Sequence, residues 1–284
     1  AIMGQVVQAG AGMNPARQAA VGAGLPVSTN AMTVNRVCGS GAQAIVSAAL
    51  EIMIDTTRCA IAGGMENMDH APYLMPNGRW GYRLGDGKLV DSLLRDGLHD
   101  AFSSEHSGWH TEELVAKYGV TREDQDRWAL RSQLRFTEAQ RAGKFDDEIV
   151  AVEVPGKKGP VQFSKDEHPR PEITIENLSK LPPAFRKDGT ITAGNAPGLN
   201  SGAAAMIVAS QDFIRQNNIE PMAKLVSFGL AAVEPAMFGI APVPAVKQAL
   251  SRAGWTIQDI QRIEINEAFA GITLACLCEL HLSE

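Results

Sequence analysis

Val34-Asn-Arg-Val-Cys38-Gly-Ser-Gly41-Ala-Gln-Ala-Ile-Val-Ser-Ala-Ala-Leu-Glu-Ile-Met-Ile54 places one cysteine between a β-branched run and the start of a small-residue helix. Met32, Val34 and Val37 suit a buried strand, and Gly39 and Gly41 suit a sharp turn. Ala44, Ile45, Ala48, Ala49 and Ile52 then recur at helical spacing. Cys38 is therefore expected at or beside a helix N-terminus, where the macrodipole and unpaired N–H groups favour negative charge. The thiolate is the form that attacks carbonyl carbon, and the flanking glycines leave the sulfur approachable. A small buried core residue is the alternative reading of the same cysteine.

Outward from this turn the chain alternates strand and helix. It reads strand 2–7, helix from Asn14 with Pro15 at its first position, strand 32–37, helix 41–54 and strand 58–62. Such alternation predicts an α/β fold on a parallel sheet covered on both faces. Residues 1–68 carry only six charged side chains whereas 69–198 carry 39 and 199–284 carry 13, so the first segment is expected to be buried on most sides. The middle segment holds Tyr73, Tyr82 and Tyr118 together with Trp80, Trp109 and Trp128. There Thr121 to Asp124 matches a capping box opening a helix, with Trp128 and Leu134 on its inner face and Gly143 closing it. Regular grammar returns with strands 203–209, 224–228 and 262–266, a helix at 242–252 and a helix over 268–282. This divides the chain into a first α/β half at 1–68 continued in 199–219, an inserted loop domain at 69–198, and the start of a second α/β half at 220–284.

Composition narrows the function. A chain of 284 residues with 45% hydrophobic content supports a large core. Its net charge of −6 argues against a nucleic-acid partner, and no apolar run approaches the ~20 residues of a membrane helix. Four cysteines are too few for a disulfide framework, which predicts a reducing compartment, the cytoplasm by default. Cys276 and Cys278 point to different sides of a helix and do not suggest a metal pair. The first residues read as a strand already in progress and the last as a helix without a cap, which is the expectation for a fragment.

Five segments resemble one family, the thiolases: Asn14-Pro-Ala-Arg-Gln18; Val34 to Gly41; Gly63-Gly-Met-Glu-Asn-Met68 with Ala71-Pro-Tyr73; Thr192-Ala-Gly-Asn-Ala-Pro-Gly-Leu-Asn-Ser-Gly-Ala203; and Glu264-Ile-Asn-Glu-Ala-Phe-Ala270. The resemblance implies a layered fold of two similar α/β halves with an inserted loop domain. It also implies acyl transfer between coenzyme A thioesters, with coenzyme A or acyl-coenzyme A as substrate, no permanently bound cofactor and a homodimer or homotetramer. It makes Cys38 the acyl-carrying nucleophile and Asn266 the holder of a water in the oxyanion site, a task that suits a neutral amide. Leu98, His106, Arg170, Phe185, Ala193 and Gly198 fall on coenzyme-contact positions, and Phe238 and Phe269 on pocket walls. For Asn266 a strand-end cap, and for the two phenylalanines plain core packing, are the other readings. A metal at His106 and His110 is set aside, because Gly108 lies between them and no third ligand is implied.

Three departures from the family pattern stand out. Pro197 replaces a serine whose hydroxyl contacts the pantetheine arm, and Ser107 replaces a common methionine. The Gly-His-Pro and Cys-x-Gly-Gly-Gly segments, which carry the family's remaining acid/base groups, do not occur in residues 1–284. The chain alone is accordingly expected to be inactive, and a non-catalytic acyl-coenzyme A-binding or assembly protein on the same scaffold is the competing reading.

Overall fold

A computed structural model describes residues 1–283. They form two compact units: Ala1–Ser107 with Leu199–Leu230 and Ala245–Ile257, and Gly108–Gly198 with Ala231–Pro244 and Gln258 onward. Residues 69–107 thus fall in the first of these units.

In the first unit β1 (Ile2–Gly4), β2 (Met32–Val34) and β3 (Cys59–Glu66) are parallel, and β8 (Gly202–Ala209) closes the order β2-β1-β3-β8 by running antiparallel to β3. The expected all-parallel sheet therefore has an antiparallel edge, and Gly202–Ile207 are exposed where both faces were expected to be covered. Two helices flank the sheet. In α1 (Pro15–Gly22) Asn14 is the N-cap and Pro15 stands at the first position, as the sequence predicts. In α2 (Ser40–Met53) Ala44 and Ala48 pack with Ile2 and Ala62 in the core, and Val34, Ile45, Ala60 and Val208 surround them.

The close fit of α2 is set by glycines. A Cβ on Gly4 would stand 2.6 Å from the Ser40 carbonyl carbon, and one on Gly64 would stand 3.5 Å from Gly41 Cα. On β3, a Cβ on Gly63 would lie 2.1 Å from the Ala204 oxygen. The separations at Gly4 and Gly63 are far below van der Waals contact, so side chains there would push the helix and the neighbouring strand away, whereas Gly64 is in ordinary contact.

Beyond β3 a two-residue ladder of β4 (Tyr73–Leu74) and β5 (Val90–Asp91) precedes a π-turn at Leu94–Leu98. After β8 comes α6 (Gln211–Gln216). The predicted strand at 224–228 finds no ladder partner among the described residues. It runs instead along α7 (Pro242–Ala253): Ser227 Oγ donates to the Ala249 carbonyl at 2.7 Å, and a Cβ on Gly229 would meet the Ala245 oxygen at 1.9 Å.

The second unit is mainly helical. Its elements are α3 (Ser107–Lys117), which enters from the last residue of the first unit, α4 (Arg122–Arg141), the hairpin β6 (Val152–Val154) with β7 (Val161–Phe163), α5 (Ile175–Ser179) and α8 (Ala270–Glu279). The capping box at Thr121 and Asp124 is present, and the chain leaves α4 through Ala142 and Gly143, the latter at φ 69°. Leu134 does not share the inner face with Trp128 and is 50% exposed. Six residues turn a helix by about 600°, which leaves the two about 120° apart. Gln125, Asp126 and Thr137 are the buried side chains of α4. Residues 262–266 likewise lack a ladder, and the last helix is shorter than expected, beginning at Ala270.

Candidate active site

Cys38 is exposed and stands one residue before Gly39, the N-cap of α2. The turn that holds it is strained. Val37 adopts φ 47°, the left-handed region that a β-branched side chain resists. Three local bonds impose it: Val37 N–H donates to Asn35 Oδ1 at 2.9 Å, Ser40 Oγ donates to the Val37 carbonyl at 2.6 Å, and Arg36 N–H donates to Ser40 Oγ at 2.8 Å. Ser40 is buried, so the serine of Cys-Gly-Ser-Gly is a brace for the turn. Gly41 has open space where a Cβ would stand, which keeps that side of the turn uncovered.

His106, also in the first unit, is half-buried and faces His99, with ring centroids 5.7 Å apart and planes at 79°. Burial, followed by the charge of His99, lowers its pKa from the ordinary 6.5. The imidazole is therefore neutral at pH 7 and can offer a hydrogen bond without bringing a charge. Leu98 ends the π-turn, where His99 N–H reaches back to the Leu94 carbonyl at 2.8 Å. Such turns concentrate at functional sites.

The other predicted residues belong to the second unit. Arg170 and Ala193 line one cavity of about 210 Å³ with Gln133, His168, Ile173, Leu178 and Leu181. Part of the Arg170 guanidinium is used within its own loop, one nitrogen donating to the carbonyls of Glu167 at 2.7 Å and His168 at 2.8 Å. Phe185 and Phe269 meet edge to face with centroids 5.8 Å apart, and the Phe185 ring lies where a Cβ on Gly108 would be, 2.3 Å from it. Phe269 is buried, while Phe238 sits half-buried in the 3₁₀ turn Pro235–Ile240. Gly198 is half-buried and follows an exposed Pro197. Asn266 is exposed, and its carbonyl accepts from Ala268 N–H at 2.9 Å.

A set of buried polar side chains, unmarked in the sequence, holds the Thr-Ala-Gly-Asn segment. Glu112 accepts from the amides of Thr190 at 2.9 Å and Ile191 at 3.0 Å and from the Thr190 hydroxyl at 3.0 Å. Asn195 accepts from Thr192 N–H at 2.8 Å and donates to Asp126 at 2.9 Å, and Asp126 is paired with Arg122 at 2.7 Å. Arg122 in turn donates to the carbonyls of Leu178 at 2.8 Å and Leu181 at 3.0 Å, on the wall of the cavity. Cys276 is buried in α8, and desolvation pushes its thiol up to about 11, which disfavours the thiolate.

An exposed cysteine thus stands at a helix N-terminus beside glycine-packed parallel strands. Solved structures with the same architecture are a *Bacillus anthracis* acetyl-CoA acetyltransferase, at TM-score 0.96 and 41% identity over 99% of this chain and 71% of that one, and human mitochondrial 3-ketoacyl-CoA thiolase, at TM-score 0.95 and 43% identity over 99% and 72%. Residues 1–212 match the N-terminal thiolase domain and 219–284 the C-terminal thiolase domain. Among curated relatives, an acetyl-CoA acetyltransferase of Cupriavidus necator is 51% identical over 96% of this chain and 70% of its own length. One from Pseudomonas aeruginosa is 50% identical over 98% and 71%. The chain belongs to the thiolase family and is a thiolase-type acyltransferase. No helix of the described residues is long and apolar enough to cross a membrane.

Proposed function

We propose that the chain takes an acyl group from a coenzyme A thioester, or from a 3-ketoacyl-coenzyme A, onto Cys38. The observation that carries this is the exposed Cys38 in a braced, strained turn at the N-terminus of α2. Sγ adds to the carbonyl carbon. From a simple thioester the coenzyme A thiolate leaves and takes up a proton. From a 3-ketoacyl substrate the bond between the α and β carbons breaks, and the acetyl-coenzyme A carbanion leaves and is protonated. In either case Cys38 holds the acyl group as a thioester, ready for coenzyme A in thiolysis or for acetyl-coenzyme A in condensation.

Asn266 is the donor to the developing oxyanion, through a water, and needs no titration to do so. Leu98 and His106 in the first unit and Arg170, Phe185, Ala193 and Gly198 in the second are our coenzyme-contact residues, and Phe238 and Phe269 our pocket-wall residues. Neutral His106 suits an uncharged part of the coenzyme, and Arg170 suits a phosphate with whatever donors its own loop leaves over. The thiol chemistry requires a reduced cysteine, which the cytoplasm provides.

The second half-reaction removes a proton from the coenzyme A sulfur or the acetyl methyl, and we assign no residue of 1–284 to that work. Each missing acid/base group costs ~10²–10⁴ in rate, so thiolysis by this chain alone is expected near background. A spectrophotometric assay with acetoacetyl-coenzyme A and coenzyme A tests this. Robust turnover by the purified chain would overturn the claim and make a resident histidine the base.

A further inference from the structure

Glu267 takes no part in the chemistry above, yet both oxygens of its carboxylate are engaged. Trp128 Nε1 donates to one at 2.9 Å and Ser132 Oγ to the other at 2.7 Å. The two donors are four residues apart and so lie on one face of α4. Arg131 stacks over the Trp128 ring, with Cζ 4.2 Å from its centroid, and adds a cation–π contact to the indole. Three residues beyond Glu267, Ala270 N–H donates to the Asn195 carbonyl at 3.0 Å, and Asn195 is buried within the polar network described above. Asn266 therefore sits beside one of two anchors, in a segment with no ladder among the described residues to fix its backbone.

We infer that Glu267 is a positioning residue for Asn266: by clamping the turn to α4 through Trp128 and Ser132, it fixes where the Asn266 amide is presented. The inference rests on Asn266 acting as the oxyanion donor. Two donors arrive from one helix face, and the Glu267 carboxylate offers each its own oxygen; a glutamine can still bridge the pair, accepting from the indole through its oxygen and donating to the Ser132 hydroxyl through its amide nitrogen. A donor displaced by about 1 Å can cost on the order of 10²-fold in rate, similar to losing it.

The test uses the full chain and acetyl-coenzyme A, with the rate of acetyl transfer to Cys38 followed by mass spectrometry. Asn266→Ala and Glu267→Ala are each expected to slow transfer by about 10²-fold. The double variant is expected to be no slower than Asn266→Ala, because the two residues act through one donor. Glu267→Gln keeps one acceptor oxygen and is expected to recover most of the rate. Glu267→Ala at the unmodified rate beside a slow Asn266→Ala, or losses that multiply in the double variant, would overturn the inference. Asn266→Ala at the unmodified rate would instead overturn the reading of Asn266 itself. Amide exchange over 262–270 supplies a readout independent of the chemistry: exchange at Ala268 is expected to quicken in Glu267→Ala and not in Glu267→Gln, and unchanged exchange in both would also defeat the inference.

Discussion

The Cys38 turn in the first unit and the Thr192–Asn195 segment in the second are both rigid, but for opposite reasons. Beside its local bonds, the Cys38 turn depends on what is missing, since the absence of a side chain at Gly4 lets Ser40 and the start of α2 settle onto β1. The Thr192–Asn195 segment is fixed by what is present, a buried set of Glu112, Gln125, Asp126 and Asn195 that satisfies its backbone donors and acceptors. Close packing tolerates no added atom and buried polar networks tolerate no deletion, so the two respond to different substitutions.

The largest effect is expected from deletion in the network. Glu112→Ala strands the half-buried amide of Thr190 and the buried amide of Ile191, which should cost about 3 kcal/mol, read from urea unfolding. A loss below about 1 kcal/mol would mean that water replaces the carboxylate and that the network does not define the segment.

Addition to the glycine-packed turn ranks next. Gly4→Ala puts a Cβ 2.6 Å from Ser40 and should cost about 1–3 kcal/mol, while moving the first turn of α2 enough to change the rate of Cys38 alkylation. An unchanged alkylation rate would show that the sheet, not the turn, absorbs the clash.

The difference between the two regions also explains what the sequence allowed to be read. Cys38, Gly39 and Gly41 lie within four residues, so local spacing was enough to place this cysteine at the start of α2. Asn14 as a cap and the Thr121 capping box were legible for the same reason. Glu112 bonds to residues 78 and 79 positions away, and Glu267 to residues 139 and 135 away. In sequence each looks like an ordinary surface acid, because nothing local marks a carboxylate for burial or clamping. The segments 224–228 and 262–266 carried strand-like runs, but ladder formation depends on a neighbour, and no single run specifies one. Leu134 looks inward by its apolarity, but the buried side chains of α4 are the polar Gln125, Asp126 and Thr137.

Smaller effects sharpen the picture of the turn. Val37→Gly relieves left-handed strain of ~1–2 kcal/mol but loosens the unfolded chain by ~0.5–1, so a net gain of up to about 1.5 kcal/mol is expected. A net loss would show that the Val37 side chain contributes more than its backbone costs. The smallest effect concerns pH. His106 has a folded pKa below its ordinary 6.5, so the unfolded chain binds more protons below that point. Its contribution is complete above pH 6.5 and declines as the pH falls through and below it. Thermal midpoints at pH 7.5 and 5.5 should therefore differ less in His106→Asn than in the unmodified chain, and an equal or larger difference would remove His106 as a source of the dependence.

The central claim is that Cys38, alone among four cysteines, accepts the acyl group. Incubation with acetyl-coenzyme A followed by peptide mass spectrometry tests it directly. The expected result is a single acetyl thioester on the peptide containing Cys38, absent in Cys38→Ala, with the buried, high-pKa Cys276 unmodified. An adduct on Cys59 or Cys278, or one that persists in Cys38→Ala, would contradict it.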